Sequence, residues 1–200
     1  MTYRSFPQEL IPASNEIRLD SPTFSFTSAF TGVNQNVSHP GSRWTITMEF
    51  PLLQGRQKRV LQSFLNSLSG RAEAVKVYDN SREGRPTMGA PGVSGDGQLG
   101  KTLLTSGWIP YQKVLEIGDL ITINNEMKEI DEDIWSDATG FATLSFNPPL
   151  RKAPPNGASI ETQNPYMLAT LDAEGIGISN SAAGFGQFES ITFREAIYRG

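Results

Sequence analysis

The densest chemical signal in the chain is Gly95-Asp96-Gly97-Gln98-Leu99-Gly100-Lys101-Thr102, which satisfies both G-x-x-x-x-G-K-[ST] and G-x-G-x-x-G. Such loops hold phosphates when a buried strand precedes them and a helix follows, because backbone N–H groups and the helix N-terminus then converge on the anion. Neither flank fits. Pro86 to Ser94 is too rich in glycine and proline for a core strand, and Gly107 and Pro110 follow Leu103 too closely for a helix. The segment Val114–Asp119 is a poor substitute for the apolar strand whose aspartate binds metal in nucleotide hydrolases. The expectation is a flexible loop leading into a strand.

Other candidates are sparser. Asp131, Glu132, Asp133 and Asp137 could ligate a divalent cation, but the mid-loop glycine and closing glutamate of an EF-hand are missing. Ile134 and Trp135 interrupt the run, so a solvated strand edge and turn is expected. His39 is the only histidine, and with no cysteine in the chain it excludes an imidazole or thiolate metal cluster. No G-x-S-x-G elbow accompanies it, and the carboxylates are too scattered to nominate an acid–base pair. Arg56, Lys58 and Arg59 form a small basic group at the start of a helix, read as a solvated face or subunit contact. Trp108, Tyr111 and Trp135 are candidates for stacking on a saccharide or base, against the more frequent fate of core packing. No catalytic residue, cofactor or metal is expected.

Composition bounds the rest. The 200 residues, 38% hydrophobic, suffice for a sizeable core, and 19 glycines with 13 prolines favour many short strands. A net charge of −4 speaks against a general nucleic-acid binder. No apolar run approaches the ~20 residues of a membrane helix, and Met1 to Asp20 has no signal-peptide pattern, so a chain made and kept in a cytoplasm is expected. Residues 86–163 hold 5 Lys/Arg against 10 Asp/Glu, while 1–85 hold 10 against 7 and 164–200 hold 2 against 4. The acidic middle hints at two bodies in one chain.

The elements follow from periodicity. Phe24, Phe26 and Phe30 share one parity, and Trp44, Ile46, Met48 and Phe50 alternate with Thr45, Thr47 and Glu49. Both stretches read as half-buried strands, separated by a polar loop from Gly32 to Gly41. Val60, Leu61, Phe64, Leu65 and Leu68 recur at helical spacing, giving a helix over 54–69 capped by Gly70. A strand over 72–78 follows, with Val75 and Val77 on one face. After the Gly/Pro/Ser-rich stretch 80–100, five strands are expected at 101–105, 119–124, 127–133, 141–146 and 158–162. Their turns include Ser106-Gly107, Asn124-Asn125, Thr139-Gly140 and the prolines from Pro148 to Pro155. That pitch suits a small closed barrel of OB-fold type or an irregular β-sandwich. Strands at 166–172 and 186–198 return to the character of the first third, around a loop at 180–186.

Several of these stretches together resemble the distal tail proteins of long-tailed bacteriophages. They are Trp44-Thr-Ile-Thr-Met-Glu-Phe-Pro-Leu-Leu53 with the helix and Leu68-Ser-Gly-Arg71, then Gly95-x-Gly-Gln-x-Gly100 with Val114-Leu-Glu-Ile-Gly-Asp119. Gly140-Phe-Ala-Thr-Leu-Ser-Phe-Asn-Pro-Pro-Leu-Arg151 and the ending Gly184 to Glu195 complete the set, in the family's order. The resemblance is greatest to members from phages of Gram-negative hosts. It implies a mainly β protein: a discontinuous, β-sandwich-like ring-forming domain with one helix (1–90 and 164–200), interrupted by an inserted OB-fold-like barrel (91–163). It further implies a non-enzymatic virion protein of the tail tip, a hexameric ring joining the tail tube protein to the tail-tip hub protein and leaving a channel for DNA. The barrel and its tryptophans carry an alternative expectation, a carbohydrate-binding module contacting a host-surface saccharide through the OB-fold; neither sequence-specific nucleic-acid binding nor membrane insertion is expected.

Overall fold

The computed structural model describes residues 3–38 and 41–197. His39, and Tyr198 at the end of the expected closing strand, lie outside the described residues. Strands β1 (Arg4–Ser5), β2 (Ser14–Asp20), β3 (Thr23–Thr27), β4 (Asn34–Ser38) and β5 (Arg43–Glu49) lead to helix α1 (Gly55–Ser67) and β6 (Ala74–Tyr78). Then come β7 (Gly89–Val93), β8 (Gly100–Trp108), β9 (Lys113–Leu115), β10 (Leu120–Ile123), β11 (Glu126–Ile130), β12 (Ile134–Trp135), β13 (Ala142–Leu150) and β14 (Ile160–Glu161). The chain returns through β15 (Tyr166–Leu171), β16 (Ile178–Asn180), β17 (Gly186–Phe188) and β18 (Ile191–Glu195). The expected class holds: the protein is mainly β, with one helix among the described residues and one sheet curled into a nearly closed barrel.

The first sheet, ordered β1-β6-β15-β18-β5-β2, draws strands from both ends of the chain. Alternation explains its inner face: Trp44, Ile46 and Met48 lie beside Ile191 and Phe193, and beside Met167, Ala169, Val75 and Val77. Helix α1 covers this face with Leu61, Leu65 and the capping Leu68, all buried. Phe6 sits among Phe50, Phe64 and Phe193, its ring 5.2 Å from that of Phe64 in an edge-on contact. The helix ends at Ser67, two residues short of the expected end, and Ser69 (φ 51°) takes the left-handed turn together with Gly70 (φ 66°).

The second sheet, ordered β14-β10-β11-β13-β8-β7, encloses Leu103, Ile121, Ile123, Ile130, Leu144 and Phe146. It closes almost completely where Val93 N donates to Ala158 O (2.9 Å) and Gly157 N to Val93 O (2.8 Å). Six strands build it, not five. The addition, β7, lies in the stretch too rich in glycine and proline for a core strand. It is an edge strand, and Pro91 falls within the register shift between Gly89 and Gly92, where its missing N–H costs nothing. Ser106-Gly107 is likewise no turn. A Cβ on Gly107 would stand 2.3 Å from Ala90 O, so glycine lets β7 and β8 approach across the register shift. β13 also runs on through Pro148 and Pro149 to Leu150, its prolines lying where the pairing to β8 is interrupted. The expected strand over 127–133 stops at Ile130, and β12 pairs instead with β9 as a separate ribbon.

The two sheets meet around buried charge. The Arg151 guanidinium forms two bonds to Glu195 on β18, one of them 3.0 Å, and donates to Ser42 O (2.8 Å). Glu195 also accepts from Trp44 N (3.1 Å), and the Trp44 indole N–H donates to Met127 O on β11 (3.0 Å). On the barrel side, Lys128 is fully buried and donates to Glu126 (2.7 Å) and to Pro149 O (2.9 Å). Leu120 and Met127 turn away from the barrel interior into the core of the first sheet. Removing one partner of such a pair leaves the other charge buried and uncompensated, a loss of about 3–5 kcal/mol. Arg151→Ala is therefore expected to lower the free energy of unfolding by about 3 kcal/mol. Urea denaturation measures this, and a loss below about 1 kcal/mol, the worth of an exposed pair, contradicts it.

Candidate interaction surfaces

The glycine loop is closed on itself. The Gln98 side-chain amide donates to Ser94 O (2.8 Å) while its carbonyl accepts from Leu104 N (2.7 Å), so one side chain ties together both limbs of the turn. Gly95 N donates to Asn156 Oδ1 (2.9 Å), and Asp96 accepts from Asn156 N (2.7 Å). Part of the backbone that would cradle a phosphate is thus engaged, an aspartate stands in the turn, and a strand rather than a helix follows.

The acidic run has local structural duties. Asp133 accepts from Ile117 N (3.1 Å), a bond that holds its carboxyl below the usual range. Asp137 accepts from Phe141 N (2.9 Å), Thr139 N (2.7 Å) and Thr139 Oγ1 (2.8 Å), building the turn into β13. Among the described residues no group of three or more potential ligands could hold a metal ion, and no helix is long and apolar enough to cross a membrane. Arg56 and Arg59 border an open groove with Arg4, Val60, Ser63, Phe64 and Ser67, and Arg56 reaches Glu9 at 3.5 Å.

The three aromatic candidates separate. Trp108 is buried in the barrel core, and its indole N–H donates to Thr105 Oγ1 at 2.7 Å, so it cannot stack on a ligand. Tyr111 is 73% exposed and Trp135 63% exposed. Trp135, on β12, pairs with Lys113 on β9, while Tyr111 stands in the turn before β9, its N–H donating to Asp137 O at 3.3 Å.

The most prominent surface was misread from sequence. The phenylalanine alternation does mark a strand, β3, but every residue of it is exposed. The supposed loop contains its partner, β4. Together they form a separate two-stranded arm of five residue pairs, about 17 Å long. One face is polar, with Ser25 donating to Asn36 (2.6 Å) and Thr27 to Asn34 (2.6 Å). The other carries Phe24 (64% exposed) and Phe26 (60% exposed), and Phe30 stands uncovered at the tip. Periodicity finds the strand but cannot say whether the chain's own core or another molecule covers the aromatic face. The polar run Asn34-Gln35-Asn36 hid the return strand.

No protein-family model matches the chain, and no curated protein matches it significantly.

The loop geometry gives a direct expectation. Gln98→Ala should cost about 1–2 kcal/mol by leaving Leu104 N and the Ser94 carbonyl without their partner. Calorimetric titration of the parent protein with ATP or GTP and magnesium should show no saturable heat. A measurable dissociation constant would contradict the closed-loop reading.

Proposed function

We propose that this chain is a structural subunit of a phage tail tip, assembling with copies of itself into a hexameric ring between tail tube and tip hub, with a channel for DNA. The observation that carries the proposal is the β3–β4 arm. A two-stranded ribbon alone is marginally stable in water, and exposed phenylalanines on one of its faces make it a surface awaiting a cover. A neighbouring subunit supplies that cover. In a closed ring each copy both gives an arm and receives one, so no apolar face is left open.

Two further features support the reading. The family-like segments run in order along most of the chain. The face of the first sheet opposite α1 carries Thr45, Thr47, Thr170 and Thr192, and two of its cations are ion-paired: Arg18 with Asp20 at 2.7 Å and Arg194 with Asp172 at 2.9 Å, while Lys76 lies over the Tyr166 ring. A channel wall that lets DNA slide needs this lack of a continuous Lys/Arg band. On this reading residues 1–90 and 164–200 assemble the ring, and 91–163 stand as an appendage.

The double substitution Phe24→Ser/Phe26→Ser tests it. Because both side chains are exposed within the subunit, unfolding stability should change by less than about 0.5 kcal/mol per site. Light scattering should show the parent's oligomer reduced to monomer. An unchanged oligomer mass, or a parent that stays monomeric at all concentrations, contradicts the proposal.

A further inference from the structure

We propose that Phe30, at the tip of the β3–β4 arm, inserts into a cavity at the C-terminal end of α1 on the next copy of the chain. The inference rests on the ring reading and names the surface that receives the arm.

The tip is built to present one ring. Ser28 N donates to Val33 O (3.0 Å) and Gly32 N to Ser28 O (2.9 Å), closing the turn between β3 and β4. Phe30 protrudes from that turn fully exposed, so its own chain gives it no cover. A ring carried on a hydrogen-bonded turn has less freedom to lose on binding than one on a loose loop. Phe24 and Phe26 follow it along the arm, and the three rings together expose on the order of 450 Å². With a matching area on the receiving copy, the contact approaches the ~1,000 Å² of a specific interface.

Charge chooses the receiver. The segment from Ser21 to Ser42 contains no Asp, Glu, Lys or Arg. Laid over the groove beside the start of α1, an uncharged arm would bury the guanidinium groups of Arg4, Arg56 and Arg59 without counter-charges. The cavities at the junction of the two sheets are edged by Asp79, Arg82, Glu83 and Arg85 and carry the same cost. A further cavity of about 350 Å³ lies where the end of α1 meets the segment between β15 and β16. Leu65, Leu171, Ile176 and Ile178 give it an aliphatic lining, and no Lys or Arg borders it. An apolar cavity of about 150 Å³ already holds a benzene ring, so one phenyl group fits with part of its turn. Glu174 stands at the rim, and the last turn of α1 has no basic residue to neutralise its carbonyl end. The positive edge of an aromatic ring is favoured beside such groups, a preference that an aliphatic tip would not share. Tip and cavity are different surfaces of one chain, so the contact runs head to tail and repeats from copy to copy until a ring closes.

The chain has no cysteine, so an introduced pair reports on this contact alone. Gly175 borders the cavity, and a Cβ placed on it meets nothing within 4 Å, so the fold admits a side chain there. Full chains carrying Phe30→Cys, mixed under mild oxidation with chains carrying Gly175→Cys, are expected to form a disulfide-linked dimer on a non-reducing gel. The chain with both substitutions should give a ladder ending at a covalent hexamer. Phe30→Ala should raise the dissociation constant of the assembly about tenfold or more, and so should Gly175→Leu, which fills the mouth of the cavity. Both positions are open to solvent within the subunit, so the unfolding transition of either variant should match the parent's. A link that forms instead between Phe30→Cys and Ser63→Cys, on the arginine groove, overturns the proposal. Rings that assemble at the parent's concentration despite Phe30→Ala and Gly175→Leu overturn it while leaving the ring reading intact. A parent that stays monomeric at every concentration overturns both.

Discussion

The arrangement of this protein depends on one buried joint, the Arg151 guanidinium held against Glu195 with Trp44 bonded at both ends. Arg151 follows the last barrel strand in contact with β8, whereas Glu195 and Trp44 belong to the first sheet. A hydrophobic contact alone would let the two sheets slide. Directional bonds to a fixed carboxylate, a backbone carbonyl and an indole N–H set one orientation. Burial pushes the Lys128 ammonium down from its usual range, and the Glu126 carboxylate 2.7 Å away opposes the shift. Desolvated charges of this kind give modest net stability, and their value lies in excluding alternatives.

Given a fixed joint, the two exposed surfaces have defined places. The β3–β4 arm is a two-stranded sheet of its own that follows β2, and the β9–β12 ribbon is a second one within the barrel segment. They differ in chemistry. The arm is apolar along one face with its polar face satisfied internally, as suits a permanent subunit contact. The ribbon instead sets the exposed Trp135 among the carboxylates of Asp133 and Asp137.

Much of the fold was legible because burial writes itself as periodicity. The run Trp44 to Phe50, the helix around Leu61 and Leu65, and the pair Val75 and Val77 were found with their faces correct. What escaped were features set by pairing across long sequence distances. β7 is stabilised by a register shift that tolerates Pro91, and Gly107 serves a close strand approach rather than a turn. The joint was invisible, since nothing local to Arg151 or Glu195 announces a partner 44 residues away. Trp108, Tyr111 and Trp135 are alike by residue type, and only the structure divides them into one core residue and two exposed ones. The phenylalanines of the arm show the opposite limit, since alternation signals an apolar face without naming the molecule that covers it.

The central claim is assembly, and an image decides it most directly. Class-averaged electron micrographs of the purified full chain at high concentration are predicted to show annular particles with six-fold symmetry and an open centre. Single subunits, or two-fold particles with no channel, would contradict the account.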